Sequence, residues 1–245
     1  MTTNRSLHNW LPKLKGVGVL CVGDVMLDQY VYGEVDRVSP EAPIPVLNVG
    51  RRAQALGGAG NVACNIAALG AVSNLVAVVG DDPAGIQVRD VLANVAGVVP
   101  RLLIDADRPT TVKTRFIAGG QQLLRADEES VGGLSQRLLK DVVGCASADL
   151  TEAKLNAVIL SDYGKGVLPD TVVGQLIAAS LAADVPVIVD PKGTDYGRYS
   201  GAHVLTPNRK ELGEATRMAT GSSDQIAQAA QSLIDQFGVH HVLVT

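Results

Sequence analysis

Cysteine is scarce. Cys21, Cys64 and Cys145 are the only three in 245 residues, and they stand far apart in apolar sequence. Such spacing excludes a disulfide framework or a cysteine metal site and reads as reduced core thiols of a cytosolic protein. Blocks of lysine or arginine are missing too, and the formal net charge is −4, so the electrostatic footprint of a nucleic-acid binder is absent. No apolar run approaches the roughly eighteen residues of a membrane span. Residues 1–15 carry charges and Trp10 where an export leader would carry an apolar stretch.

Several catalytic signatures are also absent. The chain has no G-x-x-x-x-G-K-[ST], no H-E-x-x-H and no G-x-S-x-G, which leaves out the P-loop, the helical zinc protease and the nucleophile elbow. Gly58-x-Gly60-x-x-Ala63, with Asp81 about twenty residues on, matches a dinucleotide fingerprint loosely. It follows the polar stretch GRRAQAL, however, whereas that fingerprint must leave a buried first strand directly. His203, His240 and His241 lie in or beside apolar strand segments, where histidines are usually structural, and His8 sits in the polar N-terminal arm.

What is present is enough apolar sequence for a thick core: 47% hydrophobic residues and a mean hydropathy of +0.20. A domain of this length buries roughly 70% of its unfolded surface. Apolar runs at 17–23, 75–79, 157–160, 185–189, 203–205 and 239–244 have the length and β-branching of buried strands. Helical periodicity fills 59–69, 83–96, 134–148, 170–183, 209–216 and 222–237. This alternation predicts βαβ units and a mainly parallel sheet between helices. Two stretches break the rhythm. Residues 28–50 alternate polar and apolar and carry Pro40, Pro43 and Pro45, and residues 109–127 read as a hairpin turning at Gly119-Gly120. Together they predict a small β-layer that is either a flap over a cleft or a surface or dimer ribbon; one face could do each job.

Two features point to chemistry. The first is LGGAGNVACNIAALGA at 56–71, a glycine cluster running into a helix of small residues. Gly57, Gly58 and Gly60 leave N–H groups open at the positive end of a helix dipole, and Asn61 and Asn65 share a face. A tight loop before a close-packed helix explains the same pattern. The second feature is where the strands stop: at Asp24, Gly80-Asp81-Asp82, Ser161-Asp162, Asp190-Pro191-Lys192 and Thr206-Pro207-Asn208. In an open parallel sheet these ends share one edge, and ligands bind in the crevice outside it. Asp24 and Asp28 suit sugar hydroxyls, and Lys192 offers a cation to a phosphate. Asn208-Arg209-Lys210-Glu211 opens a helix as either a plain capping box or a carboxylate acting through Mg²⁺-bound water on a nucleotide phosphate, with a basic pair nearby.

LGGAGNVACNIAALGA, the NRKE run at 208–211 and the interrupting β-layer together resemble the ribokinase-type (PfkB) carbohydrate kinase family, over essentially the whole chain. Within it, VGDVMLDQYVYGEVDRVSPEAPIPV at 22–46, QQLLRAD at 121–127 and SDYGKGVL at 161–168 are similar to the kinase part of heptose-7-phosphate kinases. The resemblance implies an α/β, ribokinase-like fold: a mainly parallel sheet between helices, with a small β-sheet lid. It implies one kinase domain over 1–245, incomplete at its C-terminus, with lid segments at about 28–50 and 109–127. The implied reaction is ATP-dependent phosphorylation of D-glycero-β-D-manno-heptose 7-phosphate at O1, in ADP-heptose and lipopolysaccharide core biosynthesis. Another ribokinase-like sugar or nucleoside kinase, or a sugar-phosphate-binding fragment without turnover, remains open beside it.

Residue by residue, the resemblance gives Asp24, Asp28, Gly57, Gly58 and Asn61 to the sugar, and Arg37, Gln121 and Arg125 to a lid closing over it. Asp190 and Lys192 face the phosphate region. Asn208, Arg209, Lys210 and Glu211 meet ATP, with Glu211 holding Mg²⁺ through water. A cytoplasmic homodimer joined through the β lid is implied as well.

One family element has no counterpart. The second signature, a G-x-G-D loop, supplies an anion hole and the aspartate that takes the sugar hydroxyl proton, and it lies beyond a strand like that at 239–244. No such run occurs downstream of Asn208. The resemblance therefore implies a kinase chain shortened at its C-terminus, with no catalytic aspartate of its own and without the elements that wall the adenine site. Phosphoryl transfer rests on positioning and electrostatic stabilisation, so the 245-residue chain alone is expected to turn over several orders of magnitude more slowly than one carrying the loop. A coupled ADP-release assay checks this, and normal turnover would refute it.

Overall fold

A computed structural model describes residues 9–130 and 132–245; His8 and the start of the N-terminal arm lie outside the described residues. The centre of the fold is strand β1 (Gly18–Gly23), which pairs in parallel with β4 (Val72–Gly80) on one side and β8 (Ala157–Ser161) on the other. Beyond β4 lies β5 (Val98–Asp105). Beyond β8 follow β9 (Val187–Asp190), β10 (Val204–Leu205) and β11 (His241–Val242). The sheet therefore runs β11-β10-β9-β8-β1-β4-β5, with every pair parallel.

Both faces of this sheet are covered, which is why its strands read as continuous apolar runs. Along β1, Cys21 points to one face, packed by α1 (Ala59–Ala68) and α2 (Pro83–Ala93). Leu20 and Val22 point to the other, packed by α3 (Gln136–Glu152), α4 (Asp170–Ala182), α5 (Arg209–Thr216) and α6 (Ser223–Phe237). Full burial of each such Leu or Val contributes about 1.5–3 kcal/mol. Burial also pushes the Cys21 thiol up to about 12, which fits a core thiol.

The chain leaves the main sheet at Asp24 and enters a second one. Its strands are β2 (Val25–Val38), β3 (Pro45–Gly58), β6 (Val112–Ala118) and β7 (Gln121–Glu128), in the order β3-β2-β6-β7. β2 and β3 form one antiparallel hairpin, and β6 and β7 form another. The two hairpins join through a parallel β2–β6 pairing in which Leu27 meets Val112. Gly119 and Gly120 turn the second hairpin with φ of 56° and 78°, the paired positive values a two-residue turn of matching twist requires. Period-two alternation gives the layer two different faces. Leu27, Leu56 and Val112 are buried against Val88 and Leu92 of α2, while Asp28, Tyr30, Lys113 and Arg115 point the opposite way.

The α/β architecture and the second β-layer agree with the sequence. Three details differ. The first segment of the layer spans 25–58, wider than the expected 28–50, while the second spans 112–128 against the expected 109–127; the polar run GRRAQAL is strand, because a sheet with one wet face needs no apolar residues there. Residues 98–105 form a strand that Pro100 hides from the eye; as the edge of the sheet it tolerates a missing N–H. His203 accepts the Val187 N–H at 3.1 Å through Nδ1, a structural use of the ring.

Asp82 locks the main domain to the layer. It caps α2 by accepting the Gly85 N–H at 2.7 Å, and its other oxygen accepts the Thr110 N–H at 2.7 Å, just ahead of β6. Partial burial works against the charge, but the bonds from Gly85 and Thr110 outweigh it and hold this carboxyl below its usual range. A depressed carboxylate stabilises the fold above its unfolded pKa, and that contribution disappears as pH falls through the folded value. Asp82→Asn is therefore expected to lower the urea midpoint at neutral pH, with the deficit shrinking as the pH is lowered below about 4. Urea titrations across that range check it.

Candidate active site

The winding of the sheet reverses at β1, so a crevice opens between the carboxyl ends of β1 and β8. Asp24 fills its base. Its side chain is buried, with Oδ2 accepting the N–H groups of Tyr163 at 2.9 Å and Lys165 at 3.0 Å, and Oδ1 that of Val167 at 3.1 Å. Its carbonyl accepts the Ala59 N–H at 2.9 Å. One residue thus ties β1 to the loop after β8 and to the start of α1. Burial pushes the carboxyl above its usual range, against the pull of those three amides. The resemblance gives Asp24 to the sugar; its carboxylate accepts two loop amides on Oδ2 and one on Oδ1, which leaves Oδ1 with capacity for a further donor.

Gly58 stands before α1 with φ +58°, and a β-carbon there would lie 2.2 Å from the Asp24 carbonyl oxygen, so only glycine fits. No side chain caps α1, and Asn61 is exposed on its first turn. An uncapped helix start of this kind leaves N–H groups available to an anion or polyol. Gly57 backs Asp28, whose Oδ1 receives Arg115 Nη1 at 2.6 Å. Arg115 in turn lies over the Tyr30 ring, 5.4 Å from its centroid.

Beyond Tyr163 lies a pocket of about 200 Å³ lined by Asp162, Tyr163, Asp190, Lys192, Asn208 and Glu211, with Pro191, Thr206 and Thr245. Asp28, Asp190 and Glu211 all act on the Tyr163 phenol: after burial, which contributes most, their negative charges push its pKa further up. Burial, then repulsion by Glu211, raises the Asp190 carboxyl, with Lys192 pulling the other way.

The Asn208 run is a complete capping box. Asn208 Oδ1 accepts the Glu211 N–H at 2.9 Å, and Glu211 Oε2 accepts the Asn208 N–H at 3.0 Å. Glu211 keeps Oε1 free for the pocket, 3.6 Å from Lys192 Nζ. The two readings of Glu211 are thus compatible. Arg209 and Lys210 are exposed and do not line the pocket, and Lys210 lies 3.7 Å from Glu214 along the helix.

Asp190, Lys192, Asn208 and Glu211 therefore share one pocket, and Asp28 and Gly57 lie together in the second β-layer, outside its lining. Arg37 does not join them. It lies exposed in β2, about 30 Å along the strand from Asp28 at the usual rise. Gln121 is at the far hairpin turn, and Arg125, opposite Arg115 in register, pairs with Asp127 at 2.8 Å. Arg115 and Tyr163 carry no sequence signal of their own: Arg115 sits in an ordinary alternating strand, and Tyr163 follows the acidic stop at 161–162.

Phosphoryl transfer implies a divalent cation. The donor set suits one: two carboxylates, Asp190 and Glu211, face the same pocket and repel each other, and a hard cation takes oxygen ligands while keeping water. Among the described residues no three His, Cys, Asp or Glu side chains form a metal cage, so the cation would share its shell with water and phosphate.

The description of the pfkB family carbohydrate kinases matches residues 18–245. The chain belongs to that family. Among solved structures, this pfkB-type fold is similar to Arabidopsis thaliana ribokinase complexed with ribose and ATP, with a TM-score of 0.64 and 22% identity over 94% of this chain and 72% of that one. It is also similar to the tetrameric inhibited form of Escherichia coli phosphofructokinase-2, with a TM-score of 0.70 and 18% identity over 94% and 73%. These likenesses establish the ribokinase-like fold. Closer in sequence are two proteins named bifunctional protein HldE. That of Paramagnetospirillum magneticum is 49% identical over 100% of this chain and 50% of its own length, and that of Rhodospirillum rubrum is 47% identical over 100% and 49%. The chain spans about half the length of the curated relatives it matches.

Asp24→Ala would leave the Tyr163, Lys165 and Val167 amides without a partner. It is expected to cost about 3 kcal/mol or more and to expose the 161–168 loop to proteolysis. Urea unfolding and limited digestion check both effects.

Proposed function

We propose that this carbohydrate kinase domain acts on D-glycero-β-D-manno-heptose 7-phosphate, directing ATP-dependent phosphorylation at O1 to give the 1,7-bisphosphate on the route to ADP-heptose. The observation that carries the reading is the polar pocket at the strand ends, where Asp190, Lys192, Asn208 and Glu211 meet. Asp28 with its Arg115 partner, the Gly57-Gly58 turn and exposed Asn61 at the start of α1 are the hydroxyl-binding groups of this reading. Runs at 22–46, 121–127 and 161–168 similar to heptose-7-phosphate kinases, and the identity to HldE proteins, support the heptose.

In this reading the residues divide the work as follows. Asp28 and Asn61 fix the sugar by hydrogen bonds, and Asp24 keeps the crevice floor rigid beneath it. Lys192 neutralises transferring phosphate, and Asp190 and Glu211 hold Mg²⁺ through water. Mg²⁺ would supply charge neutralisation across the phosphates of ATP. The β-layer closes over the sugar and excludes water, which competes as phosphoryl acceptor. The 245 residues hold no G-x-G-D loop, and the reading leaves proton abstraction to that loop. Exposed Val38, Ile44, Leu123 and Leu124 on the layer suit a homodimer joined there, in the cytoplasm, where ATP is present.

Isothermal titration without ATP is expected to show heptose 7-phosphate binding at least about tenfold tighter than ribose or fructose 6-phosphate, and Asp28→Asn weakening it about tenfold, the equivalent of one charge-assisted hydrogen bond. Preference for another sugar would overturn the substrate and leave the family assignment standing.

A further inference from the structure

We propose that Tyr199 is a positioning residue for the phosphate side of the cleft, its buried hydroxyl holding the loop after β8 and the turn after β9 in one fixed relation. The inference rests on reading the Asp190–Glu211 pocket as a phosphate site. Tyr199 closes a short 3₁₀ turn, Tyr196–Tyr199, that Asp195 caps through the Gly197 N–H at 3.0 Å. Its ring is fully buried. The hydroxyl donates to Asp162 Oδ2 at 2.7 Å and accepts the Lys192 N–H at 3.0 Å. Asp162 Oδ1 in turn accepts the Gly164 N–H at 2.8 Å, and Arg198 Nη1 lies 3.4 Å from Oδ2. A continuous line of bonds thus runs from the loop that Asp24 anchors, through Asp162 and Tyr199, to the backbone of Lys192. Lys192 is the cation of the pocket, and the position of its main chain decides what its ammonium reaches.

The plain alternative is that Tyr199 fills the core. The neighbouring Tyr196 shows what that looks like. It packs edge-on against Tyr199 with ring centroids 5.8 Å apart, is equally buried, and its hydroxyl has no hydrogen-bond partner among the described residues. The same turn thus presents two buried phenols, one joined to the site and one not. Burial, and then the charge of Asp162, keep the Tyr199 phenol protonated far above ordinary pH, so it remains a donor to that carboxylate throughout the working range.

The test uses Mg²⁺ with inorganic tripolyphosphate, titrated calorimetrically into the full chain, a probe that needs no adenine wall. Tyr199→Phe is expected to weaken binding about tenfold, and Tyr196→Phe to leave it within about twofold. In a Lys192→Ala background, Tyr199→Phe should add less than about twofold, because the residue acts through Lys192. Equal losses with and without Lys192, or equal losses from the two Phe variants, would reduce Tyr199 to packing and overturn the inference while the phosphate reading stood. Absence of binding to the unaltered chain would remove the phosphate reading and the inference with it. A check that needs no variant is amide hydrogen exchange: the Lys192 N–H, outside any strand, is expected to be protected like those of β9, and exchange at an open-loop rate overturns the proposal.

Discussion

The structure depends on a buried carboxylate placed where the sheet changes direction. Asp24 accepts three backbone N–H groups from one loop through its side chain, and a fourth, at the start of α1, through its carbonyl. Desolvating a carboxylate is costly, and the amides that surround it offset the cost only while all of them stay in place. The arrangement is therefore cooperative: β1, β8 and α1 are held in mutual register at the point where a ligand would sit. That rigidity suits a family whose chemistry consists largely of holding phosphoryl donor and acceptor in line.

Around this anchor the cleft separates two kinds of polarity. The second β-layer pairs its charges closely, Asp28 with Arg115, and Lys113 with Asp127 and Glu129. Glu129 also reaches Lys165 of the anchored loop at 2.8 Å, so the root of the layer is tied to the same segment that Asp24 holds. The pocket at the strand ends is lined by Asp162, Asp190 and Glu211 with Lys192; Asp162 has Arg198 Nη1 at 3.4 Å, and the two remaining carboxylates outnumber the one cation, which favours a cation–phosphate complex over a bare anion.

Much of this was legible in the sequence because parallel strands obey strict rules. Apolar runs give the strands, their alternation with helices makes them parallel, and the residue that follows each run falls on one edge; hence Asp24, Asp190 and Asn208 could be placed there. What escaped was set by direction within elements. Adjacent Arg209 and Lys210 look like a basic pair in one dimension, but a helix turns about 100° per residue, and only Asn208 and Glu211, three apart, face the pocket. Arg37 belongs to the right strand at the wrong distance. Arg115 and Tyr163 were invisible because cross-strand and cross-loop neighbours have no fixed sequence spacing. Residues 98–105 were hidden by Pro100, which an edge strand accepts.

The parallel pairing of β2 with β6 has a consequence for how the molecule assembles. Leu27 meets Val112 across a stretch of chain that contains α1, β4, α2 and β5, so the two halves of the β-layer cannot meet until that βαβ unit has been made and packed. During synthesis the β2–β3 hairpin emerges first and waits with an unpaired edge; non-local closures of this kind are slow and leave a nascent chain open to mispairing. The long tongue of β2–β3 carries Pro45, Arg51 and Arg52 on its outer strand, and proline and charge at an exposed edge are the means by which such a strand avoids the wrong partner while it waits.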